Sequence, residues 1–356
     1  MQVIPPIEIN DDRLTSTDIP EVVASTYSSG TTYVEGDLRG LAPVYGSPQV
    51  VWKSKQGGNL NKTLEEGDWW TNRGEVYSEH DTGSSCGIGG IVNDIATHSL
   101  YESLVVSNNF PLDDVADEIT KWKYIGKTNR WRPLDYTRSQ RSVTPLSVTY
   151  VITPGKRINS LALENIKANS FSISISSPSN GGEVWARSGS LNTRITTSFS
   201  DYFFGVFGTK PSLVYFDIPL YSDLVITITL EATSGNVEVG AIMAGTFVYL
   251  GETEQSTSSD TLNFSTIDRD LDGNAILVRR RNIPKSRQTV FCRKSNVDKV
   301  VQLRDELNAT PALWYGLKDS SDGYFGVTSS FGIYKGFQID TSFPNHAVIS
   351  LELEDV

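Results

Sequence analysis

The chain of 356 residues holds two cysteines, Cys86 and Cys292, and three histidines, His80, His98 and His346. Two cysteines cannot build a disulfide framework, so folding in a reducing compartment is expected. Three histidines leave little material for a metal centre or for acid–base chemistry. No apolar run approaches the roughly 18 residues of a membrane-crossing helix, so no membrane span is expected. Residues 1–14 have neither a basic nor an apolar region of secretory type, so no leader is predicted. Positive charge is also short: 31 Lys and Arg stand against 42 Asp and Glu, a net of −11. That balance argues against a nucleic-acid binder. G-x-S-x-G, H-E-x-x-H and the phosphate-binding glycine loop are all missing. No enzyme and no cofactor are therefore expected.

What is present is Gly, aromatic residues, Ser, Thr and Val, the composition of a mainly β chain. The predicted fold is small β modules plus a β-sandwich of jelly-roll type and an α+β C-terminal domain with one helix on a sheet. Residues 1–23 read as an extended arm, ordered against a neighbour. Residues 24–141 read as small β modules, with short strands such as Thr31–Tyr33 and Val50–Trp52 between turn residues. Two stretches there echo each other: Val44–Ser47 before Trp69, and Leu100–Ser103 before Trp122. Both run aromatic, Ser, an Asn/Pro loop, then Trp, which suggests a duplication. Leu112–Trp122 reads as a short acidic helix or turn.

Residues 142–252 predict the sandwich, because Ser170–Ser176 and Leu224–Leu230 alternate with period two. Ser234-Gly235-Asn236 is read as a turn, and residues 253–265 as a polar connection. Residues 253–356 form the α+β domain. Ser295–Leu307 is the predicted helix, with Ser295 and Asp298 as a capping box and Val297, Val300, Val301, Arg304 and Leu307 as its stripe.

Charge is unevenly spread. Residues 1–120 carry 6 Lys/Arg against 19 Asp/Glu, residues 121–141 carry 7 against 1, and residues 279–304 carry 9 against 1. Blocks of opposite sign can pair across subunits, and the competing reading is solvated faces. Arg279, Arg280, Arg281, Lys285 and Arg287 are the candidate inter-subunit basic face. Sequence-specific nucleic-acid binding is not expected there, since only Phe291 interleaves the basic residues.

Sugar binding needs flat aromatic faces with amide or carboxylate partners. Tyr33, Trp52, Trp69 and Trp70 supply aromatics, with Asp37 and Asn59 as polar partners. The alternative is that they fill the core of a module too small for any other. Asp268, Asp270 and Asp272, followed by Gly273, copy the start of a calcium loop, yet position twelve is Arg279 rather than Glu. A plain acidic turn is the competing reading. Cys86 lies six residues after His80. Sequence proximity alone is no sign of a thiol–imidazole pair, because such pairs are assembled in space. Glu65 with Glu66, and Asp113 with Asp114, would point to opposite strand faces and cannot pair as glycosidase carboxylates.

The string Trp122-Lys-Tyr-Ile-Gly-Lys-Thr-Asn-Arg-Trp131-Arg-Pro-Leu-Asp135 resembles a W-x-x-I-G-x-T-N-R-W-x-x-x-D pattern of bacteriophage tail and baseplate proteins. Leu313–Gly316, Tyr334–Asp340 and Leu351–Glu354 are similar to that family's closing run. The family is siphophage-type, distal-tail-like tail-tip protein. Gly30-Thr-Thr-Tyr33-Val-Glu-Gly36-Asp37, the Val44-Tyr45 pair and Trp69-Trp70 resemble small chitin- or cellulose-binding modules. Residues 83–94 keep the glycines but lack the tyrosine. The resemblance implies a virion structural protein, made in the host cytoplasm. It implies a homo-oligomeric ring, trimer or hexamer, beside tail tube, hub and fibre proteins. Contact with host-surface glycans is implied too, the alternative being a dedicated receptor- or carbohydrate-binding tail protein.

Overall fold

The computed structural model describes residues 1–112, 120–137, 140–193, 198–205, 208–254, 257–269, 272, 274–319 and 322–356. The chain is mainly β, 49% strand against 9% helix, and its main body is a stack of four layers. The first layer is the helix Val297–Glu306, led in by a tight turn at Lys294–Asn296. The second is an eight-stranded sheet centred on Ala312–Tyr315, Ser329–Asp340, His346–Asp355 and Asn282–Arg293. The third is a small sheet of Ser212–Tyr215, Ser160–Glu164 and Ala241–Gly245. The fourth has five strands, in order Gly182–Ser190, Ser170–Ser177, Val225–Val239, Ser142–Ile152 and Leu14–Thr17.

Strand periodicity explains the stacking. In the third layer Leu161, Leu163, Leu213 and Ile242 face the five-stranded sheet. Ala162, Val214, Ala241 and Met243 face the eight-stranded one. Both faces are covered, so every residue of Ser160–Glu164 and Ala241–Gly245 is buried. A strand buried on both faces loses the apolar–polar alternation that marks a half-exposed strand. The outer strand Ser170–Ser177 keeps it: Ile173 and Ile175 are buried, with half-buried serines between.

The first 23 residues are extended, but their partners belong to the same chain. Gln2–Ile4 is inserted between Val248–Tyr249 and Ala312–Tyr315 of the eight-stranded sheet. Val3 enters the helix-side core and Ile4 the opposite one. Leu14–Thr17 then adds an edge strand to the sandwich. The arm expected to order against a neighbour is thus a seam, because its alternate apolar side chains bury themselves in two cores of their own molecule.

Three local expectations also change. Ser234–Asn236 stays within the strand Val225–Val239, as an irregularity opposite Pro145 and Ser147. Within residues 253–265, Ser258–Asn263 is a strand paired with Asn282–Arg287. The helix starts at Val297 with no side-chain cap bond, so Ser295 and Asp298 form no capping box. Its core contacts are Val300, Leu303 and Leu307, with Val297 half-buried against them. The acidic stretch of Leu112–Trp122 lies outside the described residues except at its ends.

Candidate functional site

The described residues of 24–127 form two copies of one three-stranded module. The first sheet orders Leu38–Arg39, Gln49–Ser54 and Trp70–Val76; the second orders Ile91–Asp94, Ser99–Ser103 and Trp122–Lys127. Equivalent atoms repeat. Asn59 Nδ2 donates to Ser54 Oγ at 3.0 Å and to the Trp69 carbonyl at 3.3 Å. Asn108 Nδ2 donates to Ser103 Oγ at 3.1 Å and to the Lys121 carbonyl at 2.8 Å. Trp70 and Trp122 each donate an indole N–H to the loop before them, at Lys62 and Phe110. Tyr27 meets Trp70 edge-on, as His80 meets Trp122. Gly74 and Gly126 both have positive φ, 97° and 135°, a region that favours glycine.

The true register differs from the echo in the sequence. Leu100–Ser103 corresponds to Val51–Ser54, not to Val44–Ser47. Tyr33 matches Cys86, an offset of 53, whereas Ser54 matches Ser103, an offset of 49, so the first copy has a loop four residues longer. That loop carries Tyr45 across to the second copy. In the first copy Tyr33 Oη accepts the Ser28 N–H at 2.7 Å and donates to the Ser28 carbonyl at 3.0 Å. In the second, Tyr45 Oη accepts the Asp81 N–H at 2.9 Å and donates to the Asp81 carbonyl at 3.1 Å. Cys86 leaves the space that Tyr45 fills.

This module architecture places the candidate sugar residues in two groups. Tyr33, Asn59 and Trp70 come together, but as module core, each at most 1% exposed. They have no face for a ligand, because a module this small uses its aromatics as its interior. Asp37 Oδ2 accepts the Val34 N–H at 3.1 Å and so closes a turn. Trp69 is half-buried with the Lys62 ammonium 4.8 Å from its ring centre. Trp52, half-buried, lines a groove of about 760 Å³ with Tyr27, Leu41, Pro48 and Leu64.

The basic block is partly neutralised at home. Lys285 lies 3.6 Å from Glu354 and 3.8 Å from Glu352, and Arg287 lies 3.3 Å from Glu352. Arg281 donates to the Val356 carbonyl at 2.9 Å. Arg279 and Arg280 are exposed at the base of a hairpin. That hairpin pairs Thr266–Arg269 with Ala275–Val278, extending the Ser258–Asn263 and Asn282–Arg293 pair. Ile267 is 65% and Leu277 73% exposed, although they face each other across the strands, and Phe264 and Ile276 are exposed as well. Asp268 pairs in register with Ile276 and Asp272 sits in the turn, both exposed, while Asp270 lies outside the described residues. The calcium-loop pattern therefore falls on a β-hairpin rather than between helices.

His80 and Cys86 form no dyad: His80 Nε2 meets the Phe110 carbonyl at 3.0 Å, and burial pushes the Cys86 thiol up. Glu66 Oε2 accepts the Asn72 N–H; Asp113 and Asp114 lie outside the described residues. Among the described residues no group of three or more His, Cys, Asp or Glu could hold a metal ion.

Sequence reasoning missed the junction where both modules meet the sandwich. Asp18 and Glu21 are its anchors. Asp18 lies 3.1 Å from Arg73 of the first copy and accepts the Thr149 N–H of the sandwich at 3.0 Å. Glu21 accepts from Thr128 at 2.9 Å and Trp131 at 3.2 Å, and lies 2.9 Å from His98 Nδ1. His98 Nε2 is 3.1 Å from Asp11, and its ring stacks on Trp131 at 4.1 Å. Trp131 and Leu134 in turn enter the sandwich core. Between these parts lies a cleft of about 390 Å³ whose lining includes Asn72, Tyr77, Asn93 and Arg132. Burial lowers the Arg132 guanidinium from its ordinary value and raises the Tyr77 phenol. Only the Trp122–Asp135 string had marked this region.

Fold and site together define a layered, mainly β protein bearing a duplicated three-stranded module. No protein-family model matches the chain, and no curated protein matches it either. No helix among the described residues is long and apolar enough to cross a membrane.

Proposed function

We propose that the chain is a structural component of a phage tail tip or baseplate, distal-tail-like, that joins further copies of itself in a ring around the tail axis. Copy number three or six, and neighbours of the tube, hub and fibre classes, belong to this reading, as does a virion location after synthesis in the host cytoplasm. One observation carries it: the paired strands Thr266–Arg269 and Ala275–Val278 hold Ile267, Ile276 and Leu277 more than half exposed. A two-stranded ribbon alone is marginal in water, so exposed apolar pairs on it call for a partner surface. The base of the hairpin is basic, whereas residues 1–120 carry 6 Lys/Arg against 19 Asp/Glu. A second copy supplies the complementary charge. Of the basic block, Arg279 and Arg280 reach a neighbour, since Lys285, Arg287 and Arg281 are engaged in their own chain.

The second reading is a receptor- or carbohydrate-binding tail protein, favoured by the groove beside Trp52. Native mass separates the two. The wild-type chain in near-physiological salt is expected to run as a trimer, a hexamer or a longer polymer. The double variant Ile267→Glu, Leu277→Glu is expected to run as a monomer with an unchanged melting temperature, because both side chains are exposed. A monomeric wild type, or a variant that assembles normally, removes the hairpin's role. A monomer that binds glycans through Trp52 turns the assignment to the second reading.

A further inference from the structure

We propose that the cleft between the two modules and the sandwich binds a uronic acid, a pyranose unit carrying a carboxylate. The inference goes beyond the assembly reading and does not depend on it.

The cleft draws on three parts of the chain. Thr128, Asn129 and Arg132 come from the Trp122–Asp135 string, Asn72 and Asn93 from the two modules, and Asn236 from the sandwich. Its volume of about 390 Å³ lies at the small end of ligand sites and suits a single sugar ring. Two groups in it bear on what a ligand must offer. Arg132 is partly buried; its Nε donates to the Lys127 carbonyl at 3.2 Å and one Nη to the Arg141 carbonyl at 3.3 Å. Among the described residues no carboxylate lies within ion-pair distance of it. Asp135 lies near enough to favour its charge but makes no ion pair with it. A buried guanidinium held only by carbonyls still has a planar fork that matches a carboxylate with two parallel hydrogen bonds.

Asn93 is 1% exposed. Its Nδ2 donates to the Glu21 carbonyl at 3.0 Å, while its Oδ1 has no hydrogen-bond partner. A buried acceptor left open calls for a donor, which a sugar hydroxyl provides. The first module has Gly40 at the matching position, so this acceptor belongs to the cleft and not to the module fold. Tyr77 adds an aromatic wall. Two acidic groups line the cleft, and a third, Asp135, stands behind Arg132 with its own carboxylate bonded to the Thr137 N–H and hydroxyl. Glu21 is already engaged by His98, Thr128 and Trp131, and Glu75 is exposed, where water and salt screen it.

The test titrates the full chain with glucuronate, glucose and inorganic phosphate, read by calorimetry. Glucuronate is expected to bind about tenfold or more tightly than either other probe, since it alone offers both carboxylate and hydroxyls. Asn236→Asp, at an exposed position, and Asn93→Asp each set a negative charge beside the ligand and are expected to weaken glucuronate by about tenfold. Melting curves establish that the variants fold; if Asn93→Asp does not, the exposed Asn236→Asp decides. Absence of glucuronate binding, equal binding of phosphate or glucose, or full affinity in the folded variants overturns the proposal.

Discussion

Ser28 and Asp81 occupy matching turns of the two modules, and each turn has its N–H and carbonyl closed by one tyrosine hydroxyl. In the first module the tyrosine is local, five residues on. In the second it arrives from 36 residues away, because Cys86 stands at the local position. Space confirms the exchange: a Cβ built on Gly46 would lie 2.7 Å from Cys86 Sγ, so Tyr45 and its neighbour sit tightly on the thiol. The two modules are therefore one unit, joined by Tyr45 and by the Ile91 N–H, which donates to the Gly46 carbonyl at 2.9 Å. Tyr45→Phe keeps the ring and removes both hydrogen bonds. It is expected to cost about 1–2 kcal/mol, measured by urea unfolding with an unchanged slope. A cost near zero would mean that water replaces the hydroxyl at Asp81.

At the scale of elements, what the sequence revealed depended on exposure. Ser170–Ser177 and Val225–Leu230 were legible because one face is core and the other is not. Ser160–Glu164 and Ala241–Gly245 were not, because burial on both faces erases the period. The helix was legible, although Leu303 and not Val301 completes its buried row. Turns were the least legible, since a Gly-containing tripeptide serves a bulge as well as a reversal. Between Ser170–Ser177 and Gly182–Ser190 the connection is pinned by Asp223, which accepts from Ser177 Oγ and from the Ser179 N–H, both at 2.7 Å. Those bonds lower its carboxyl from 3.8 to about 2. A depressed carboxyl contributes stability that is present above its unfolded value and lost as pH falls through its folded value. The stability gap between wild type and Asp223→Asn is thus expected to be full above about pH 4 and to close toward pH 2. Denaturant midpoints across that range measure it; a gap independent of pH would remove Asp223 from the connection.

The whole molecule is built so that its sheets share interiors. The Ser160–Glu164 and Ala241–Gly245 pair serves the sandwich core with one face and the C-terminal core with the other. Gln2–Ile4 does the same within the large sheet, and Tyr315 of that sheet donates to Glu164 of the small one at 3.0 Å. Layers that share a sheet lose their packing together. Ala162→Leu, at a fully buried position between the two sheets, is expected to destabilise by about 1–3 kcal/mol through overpacking. Near-ultraviolet dichroism and tryptophan fluorescence should shift together in one transition. Two separated transitions would show that sandwich and C-terminal sheet unfold independently.

By itself the sequence determined the β class, the place of the helix, the existence of a repeat and the uneven charge, because period, composition and charge are local quantities. Tertiary structure alone decided that Tyr33, Asn59 and Trp70 are core, that Lys285 and Arg287 are paired at home, and that the N-terminal residues are a seam. It also gathered Asn93 and Arg132 at one cleft, 39 positions apart in the chain. These outcomes depend on which strands become neighbours, and neighbours in a sheet are chosen by burial across the whole molecule, not by the residues beside them in the chain.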